Sequence, residues 1–327
     1  MTVKIEDVAE RAGVSVTTVS RVMNNRGAIS EKTREKVMEA IHELDYHPSQ
    51  IARNLFKQKS HIIGVIVPDV SHNFYGSEVK HIERNLCEAG YRLLLCNTKQ
   101  QKTLEQDYID MLQCNKVDGI IIASHTQERE AYQQLHLPLV SIDRNLGADI
   151  PVVSSNHYQG GILAAEELIR CQCKTVVQVV CDTSIPKPSD ERHIAFKSRL
   201  SEAGIRCEEV NIPLNTFDFD DYIKVSNTLF DTYPKVDGVF CADNIACAAL
   251  KTAVQREYAV PKQMKIVGYD GNDIAKMVTP TLTTIRQQTE IIAKTAVDIL
   301  LRRVEGSEVT GTYKIPVQFV QGETTAV

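Results

Sequence analysis

From residue 62 onward the chain repeats one pattern: a short apolar run rich in Val, Ile and Leu, then an amphipathic stretch with helical spacing. Apolar runs at 62–67, 93–96, 117–123, 139–142, 176–181, 236–241 and 266–269 alternate with stretches at 74–88, 104–114, 128–135, 160–170, 191–203, 222–233 and 245–257. Strands that are apolar on both faces need cover on both faces, and crossover helices supply it, so the pattern predicts parallel sheets in an α/β fold. About eleven strands fit two sheets better than one. In such open sheets a ligand lies beyond the carboxyl ends of the strands. Asp69, Asp143 with Arg144, Asp243 and Asp270 follow four of the apolar runs and are the candidates there. A single aspartate after a strand is more often a helix cap or turn former, but several converging on one cleft make a polar binding site.

Residues 1–45 carry only helical spacing, with Val8, Ala12, Val19, Val37, Ala40, Ile41 and Leu44 as buried candidates, so the chain begins with a small all-α unit. Pro48 breaks it, and Ser49 is placed to cap a short linker helix over 50–57. Residues 5–24 have the parts of a helix-turn-helix. Ala9 is small enough for two helices to cross closely, Gly13 ends the first helix in a left-handed conformation, Ser15 caps the second, and Val8, Val14 and Val19 share a core. The recognition helix then runs over about residues 16–23. Val16 and Thr17 reach base edges in a major groove, and Arg21 one turn later grips guanine through two hydrogen bonds. Asn24, Ser30 and Thr33 are placed for phosphates, and Ser15, Thr18, Ser20 and Tyr46 join them as candidate DNA contacts. The competing reading is an ordinary helical hairpin.

Charge supports the first reading. The chain as a whole is at −5, yet residues 1–60 hold ten Lys and Arg against eight Asp and Glu, and the remainder holds 27 against 34. No acid lies between Tyr46 and Pro68, where Arg53, Lys57 and Lys59 sit together, so this stretch suits a polyanion. The length of 327 residues gives about two domains. Acids stand near the start where a secretory signal needs an apolar run, and no stretch offers about 18 uninterrupted apolar residues, so a cytoplasmic location is expected. The nine cysteines are scattered without metal-ligand spacing and are read as reduced structural thiols, with no metal and no cofactor. Signatures of dinucleotide, phosphate-loop, hydrolase and zinc chemistry are missing, so an enzyme is not expected. Gly160 and Gly161 open a helix and are read as packing glycines in preference to a phosphate cradle.

An ordered set of segments, 7–24, 30–37, 44–48, 51–55, 64–69, 117–119, 267–270 and 282–287, resembles the lactose-repressor/galactose-repressor family, and the likeness runs from residue 4 to about 322. The resemblance implies a sequence-specific DNA-binding transcriptional repressor. Residues 1–59 would be the helix-turn-helix domain with a hinge helix at about 49–57, whose Leu55 wedges into a minor-groove step beside Ala52. Residues 60–327 would form a core like a periplasmic sugar-binding protein. Its two doubly wound subdomains span about 60–159 plus 288–315, and about 160–287 plus 316–327, with crossovers near 158–160, 286–288 and 313–317.

Carried over residue by residue, the resemblance places the effector site at Asp69, Phe74, Asp143, Arg144, Arg192, Phe217, Asp243 and Asp270, with Gln287 at its edge. Arg192 stands in a segment where Ala195 replaces the family's usual glycine. Residues 143–146, 150–155 and 268–271 are most similar to repressors of sucrose and ribose operons in Gram-positive bacteria. The expected effector is therefore a sugar or sugar phosphate, sucrose or a fructose-containing ligand first and ribose second. A regulator of the catabolite-control type, strengthened on DNA by a phosphocarrier protein or a ligand, is the other mode. Two-fold operators imply a homodimer, and the end at Val327 leaves no room for the further helix that makes the lactose repressor tetrameric.

Overall fold

The computed structural model describes residues 3–23, 27–46, 59–99, 101–124, 129–182, 185–213 and 216–326. The chain divides into two compact units, Met1–Ser60 and His61–Val327.

In the first unit α1 (Ile5–Ala12) starts where the Lys4 amide donates to the Asp7 carboxylate at 2.7 Å, and it stops at Gly13, whose φ of 68° is open to glycine without a Cβ penalty. Helix α2 (Val16–Met23) follows three residues later, with the Ser15 hydroxyl accepting from the Thr18 amide at 3.2 Å. Helix α3 (Glu31–Glu43) is capped in the same way by Ser30, which accepts from the Thr33 amide at 3.3 Å. Val8, Ala9, Ala12, Val19, Val22, Val37 and Ala40 form the core, and Val14, Ile41, Leu44 and Tyr46 pack on its rim. Asn24, Ala52 and Leu55, with the expected hinge helix, lie outside the described residues.

In the second unit the chain first passes through β1 (Ile62–Val67), α4 (Asn73–Glu88), β2 (Arg92–Asn97), α5 (Lys102–Cys114), β3 (Gly119–Ile122), α6 (Arg129–Gln133), β4 (Leu139–Ile142) and β5 (Val152–Ser155). It then leaves for a second sheet through α7 (His157–Arg170), β6 (Thr175–Cys181), α8 (Glu191–Glu202), β7 (Arg206–Ile212), α9 (Phe219–Thr232), β8 (Gly238–Phe240), α10 (Asp243–Gln255), β9 (Lys265–Asp270), α11 (Ile274–Met277) and β10 (Thr283–Arg286). Finally α12 (Thr289–Val304) and β11 (Thr312–Ile315) return to the first sheet, and β12 (Gln318–Val320) closes on the second. The strand orders are β11-β5-β4-β3-β1-β2 and β12-β10-β9-β8-β6-β7, parallel throughout except for the β10–β12 pair.

Each sheet is buried on both faces. Ile82 and Leu86 of α4 with Ile292 and Leu300 of α12 cover one face of the first sheet, and Ile109 and Leu112 of α5 cover the other. On the second sheet α7 and α8 contribute Leu168 and Phe196 to one face, and α9 and α10 contribute Leu229 and Leu250 to the opposite one. Three crossovers join the two subdomains. The first falls at Asn156, earlier than the expected 158–160, because the Asn156 side chain caps α7 by accepting from the Gln159 amide at 3.1 Å, so that α7 begins at once on the second sheet. The others lie at 287–288 and 316–317. Among the described residues no helix is long and apolar enough to cross a membrane.

Candidate functional site

Both sheets point their strand carboxyl ends at a shared cleft with about 830 Å³ of empty space, its open mouth included. Asp143 follows β4 and Asp270 ends β9, so the two sheets contribute one carboxyl each. Arg192 enters from the first turn of α8, and its guanidinium lies over the Tyr269 ring, 4.5 Å from the centroid. It is placed there by close packing of α7 on α8: a Cβ on Gly161 would run into the Arg192 carbonyl oxygen, and one on Gly160 would come within 2.7 Å of the Tyr269 ring. The two glycines are packing glycines, and the phosphate-cradle reading falls away.

Behind the cleft a hydrogen-bonded chain crosses the junction of the subdomains. His157, fully buried, meets the Asp143 carboxyl through Nε2 at 2.9 Å and the Tyr269 hydroxyl through Nδ1 at 2.8 Å. The two ring nitrogens cannot both accept, so the tautomer sets the direction: with Nε2 donating to Asp143, Nδ1 accepts from the Tyr269 hydroxyl. A second chain runs from the Ser155 hydroxyl to Gln287 Oε1 at 2.6 Å, and from Gln287 Nε2 to Asp270 at 2.8 Å. Burial pushes the Asp270 carboxyl up to about 6, against the pull of Arg192, Gln287 and His157. Across the mouth, Phe217 packs on His72 and Tyr75, with ring centroids 4.9 and 5.9 Å apart, and the Asn73 amide donates to Asn244 at 2.8 Å. Burial, opposed by Asp69, lowers His72 to about 4 and keeps that wall uncharged at neutral pH.

Of the expected effector residues, Phe74, Asp143, Arg192, Phe217, Asp270 and Gln287 line the cleft. Asp69, Arg144 and Asp243 do not. Asp69 is a turn former, accepting from the Ser71 amide at 2.8 Å and its hydroxyl at 2.7 Å. Arg144 points to the far side of the sheet from its neighbour Asp143, donating to the Ser124 carbonyl at 2.9 Å with its guanidinium 5.3 Å from the Tyr132 centroid. Asp243 is the fully buried first residue of α10, accepting from Thr284 Oγ1 at 2.6 Å and the Asn272 amide at 2.7 Å; burial and then Asp270 hold its carboxyl well above the usual range. Its neighbours Ala242 and Asn244 face the cleft in its place. Sequence reasoning missed His72, Tyr75, Lys187 and Cys181 there, and His157 behind it.

In the first unit Ser15, Val16 and Thr17 at the start of α2 and Arg21 in its last turn are exposed, with Val16 at 39%, while Thr18 and Ser20 are half-buried. Leaving an apolar Val16 in solvent gives no folding benefit and suits contact with a base methyl. Ser30 and Thr33 sit at the amino end of α3, bonded to each other at 2.8 Å, and Tyr46 leans on the core. Among the described residues no group of side chains could hold a metal.

Residues 4–49 match the bacterial regulatory proteins of the lacI family, and residues 165–325 match the periplasmic binding protein-like domain. The sucrose operon repressor of Streptococcus mutans is 36% identical over 99% of this chain and 100% of its own. The chain belongs to the lacI family. It is therefore a DNA-binding transcription regulator and not an enzyme. A ribose operon repressor of Halalkalibacterium halodurans is 34% identical over 98% of this regulator and 96% of its own length. The fold agrees with the lac repressor dimer bound to operator and the anti-inducer ONPF, at a TM-score of 0.89, 24% identity and complete coverage of both chains.

Proposed function

We propose that this regulator represses a carbohydrate-utilisation operon and leaves its operator when a sugar or sugar phosphate enters the cleft. The observation that carries the reading is the cleft itself, where carboxyls from both sheets, a guanidinium and the aromatic faces of Phe74 and Phe217 converge. Carboxylates and a guanidinium hold vicinal hydroxyls bidentately, and aromatic rings cover the apolar face of a sugar. The relatives named for sucrose and ribose operons support a sugar, with sucrose or a related fructoside first. The ribose relative supports ribose as the second reading.

On the DNA side, Val16, Thr17 and Arg21 read bases, while Ser15, Thr18, Ser20, Asn24, Ser30, Thr33 and Tyr46 serve the backbone contacts, and Ala52 with Leu55 act in the minor groove. A homodimer presents two such surfaces to two half-sites. Release requires the sugar to bind the DNA-free state better than the bound one, by a coupling on the order of 1–3 kcal/mol. Fluorescence anisotropy on DNA from upstream of the regulator's own gene, titrated with sucrose, fructose, their phosphates and ribose, tests this. One sugar lowering the anisotropy supports induction; tightening, or no response to any sugar, gives the case to co-repression through a phosphocarrier protein.

A further inference from the structure

The buried stretch of β6, residues 176–180, is apolar except at Gln178, which is as deeply buried as its neighbours. Val176, on the same face of the strand, packs with Phe196 of α8, so Gln178 lies beneath that helix. A buried amide is costly unless it is bonded, and this one is bonded at both ends. Its carbonyl meets Nδ1 of His193 at 3.0 Å, and its amino group donates at 3.1 Å to Glu209, the residue opposite it on β7. Glu209 also accepts at 2.8 Å from Lys197, one turn after His193 on α8.

The other end of this set reaches the cleft. Arg192, which lines it, donates its Nε–H to His193 Nε2 at 3.2 Å. A guanidinium only donates, so Nε2 accepts, and a neutral ring then carries its hydrogen on Nδ1 and donates to the Gln178 carbonyl. That leaves the Gln178 amino group for the Glu209 carboxylate, and every bond in the set runs in one consistent direction. Burial, then Arg192 with smaller contributions from Lys187 and His157, pushes the proton affinity of His193 well below its usual range, so Nε2 keeps its lone pair at neutral pH.

The carboxyls of the cleft are held from behind in the same manner, Asp143 by His157 and Asp270 by Gln287. Arg192 has the longest side chain of the three and the most rotamer freedom to lose on meeting a ligand, so it gains most from such a partner. With Nε bonded to His193 and the guanidinium over the Tyr269 ring, the fork is held at two points. We propose that His193 is a positioning residue of the effector cleft, holding Arg192 by its Nε and so fixing the direction in which the guanidinium meets vicinal sugar hydroxyls. This inference rests on the sugar reading of the cleft and on Arg192 as a donor there, and it adds a residue that stands behind the wall and does not line it.

The test uses the full chain as wild type, His193→Gln, His193→Asn, Arg192→Lys and the double variant carrying Arg192→Lys with His193→Asn. Each is titrated calorimetrically with sucrose, fructose and ribose and unfolded thermally. A glutamine amide reaches the place of Nε2 and can accept from Arg192; an asparagine amide reaches only the place of Nδ1 and can still bond Gln178. The expected result is that His193→Gln binds the sugar within about threefold of wild type and His193→Asn about tenfold more weakly, while the two melt alike. Equal losses of affinity in both variants would mean that the ring is merely structural, and the proposal fails; unchanged affinity in His193→Asn overturns it as well. In Arg192→Lys a methylene stands where Nε stood, so adding His193→Asn is expected to change affinity by less than about twofold. A tenfold loss in that background too would show that His193 acts by a route other than Arg192, against the proposal. Wild-type affinity in Arg192→Lys defeats the reading of Arg192 as a donor to the effector, and a wild type that binds none of the sugars defeats the sugar reading; either result takes the role of His193 with it.

Discussion

Asp270 occupies the end of β9 with both its charge and its geometry constrained: φ is 120°, the side chain is buried, and Gln287 donates to it. Its pKa is raised from 3.8 to about 6, so the folded form holds its proton more tightly than the unfolded chain does. The contribution to stability is therefore fully present below pH 3.8 and lost as pH rises through about 6. Asp270→Asn keeps an acceptor for Gln287 and removes the titration. The variant is expected to melt about 2–6 °C above wild type at pH 7 and to converge with it near pH 4, read by calorimetry from pH 4 to 7. A constant gap across that range would sink the assignment. The residue scale is also where the sequence was least legible. Aspartates after strands were visible, but nothing in the pattern separated Asp143 and Asp270, which reach the cleft, from Asp69, which closes a turn, or Asp243, which is folded against Thr284. That distinction depends on which way each chain leaves its sheet.

At the scale of elements, the strands read from sequence were those with continuous apolar runs, because burial on both faces writes itself into every residue. Strands β7, β11 and β12 sit at sheet edges, with mostly half-buried or exposed residues such as Arg206, Glu208 and Thr312, and carry no such run. The short β5 and β10 are buried, but Ser154, Ser155, Thr283 and Thr284 dilute their apolar character. The helix pair α7 and α8 shows how an element serves the site: the backbone of Arg192 rests where a Cβ of residue 161 would be. Gly161→Ala must push α8 outward and carry Arg192 off the Tyr269 ring. Overpacking of this kind costs about 1–3 kcal/mol, and the displaced guanidinium is expected to weaken sugar binding about tenfold. Denaturant unfolding and calorimetry on the same preparation check both parts. A variant that loses stability but binds sugar as wild type does would show that α8 relaxes without moving Arg192.

For the whole molecule, the division at Ser60 assigns DNA and effector to separate units, so damage to each should be separable. Arg21→Ala, exposed in the last turn of α2, is expected to lose specific operator binding, a guanine contact being worth about 1–3 kcal/mol per subunit, while melting and sugar affinity stay as they are. Arg192→Ala is expected to do the reverse, leaving a repressor that holds its operator and cannot be released. The two activities must nevertheless share one free energy. If sugar weakens operator binding by some factor, operator must weaken sugar binding by the same factor, about 5- to 150-fold for ordinary couplings. The measurement is sugar affinity with and without saturating operator duplex, set beside operator affinity with and without saturating sugar. Equal factors place the coupling within the regulator. Operator release in the anisotropy assay with no change of sugar affinity on DNA would show that the sugar acts elsewhere than through the cleft of the DNA-bound protein, and a cleft-driven switch would have to be abandoned.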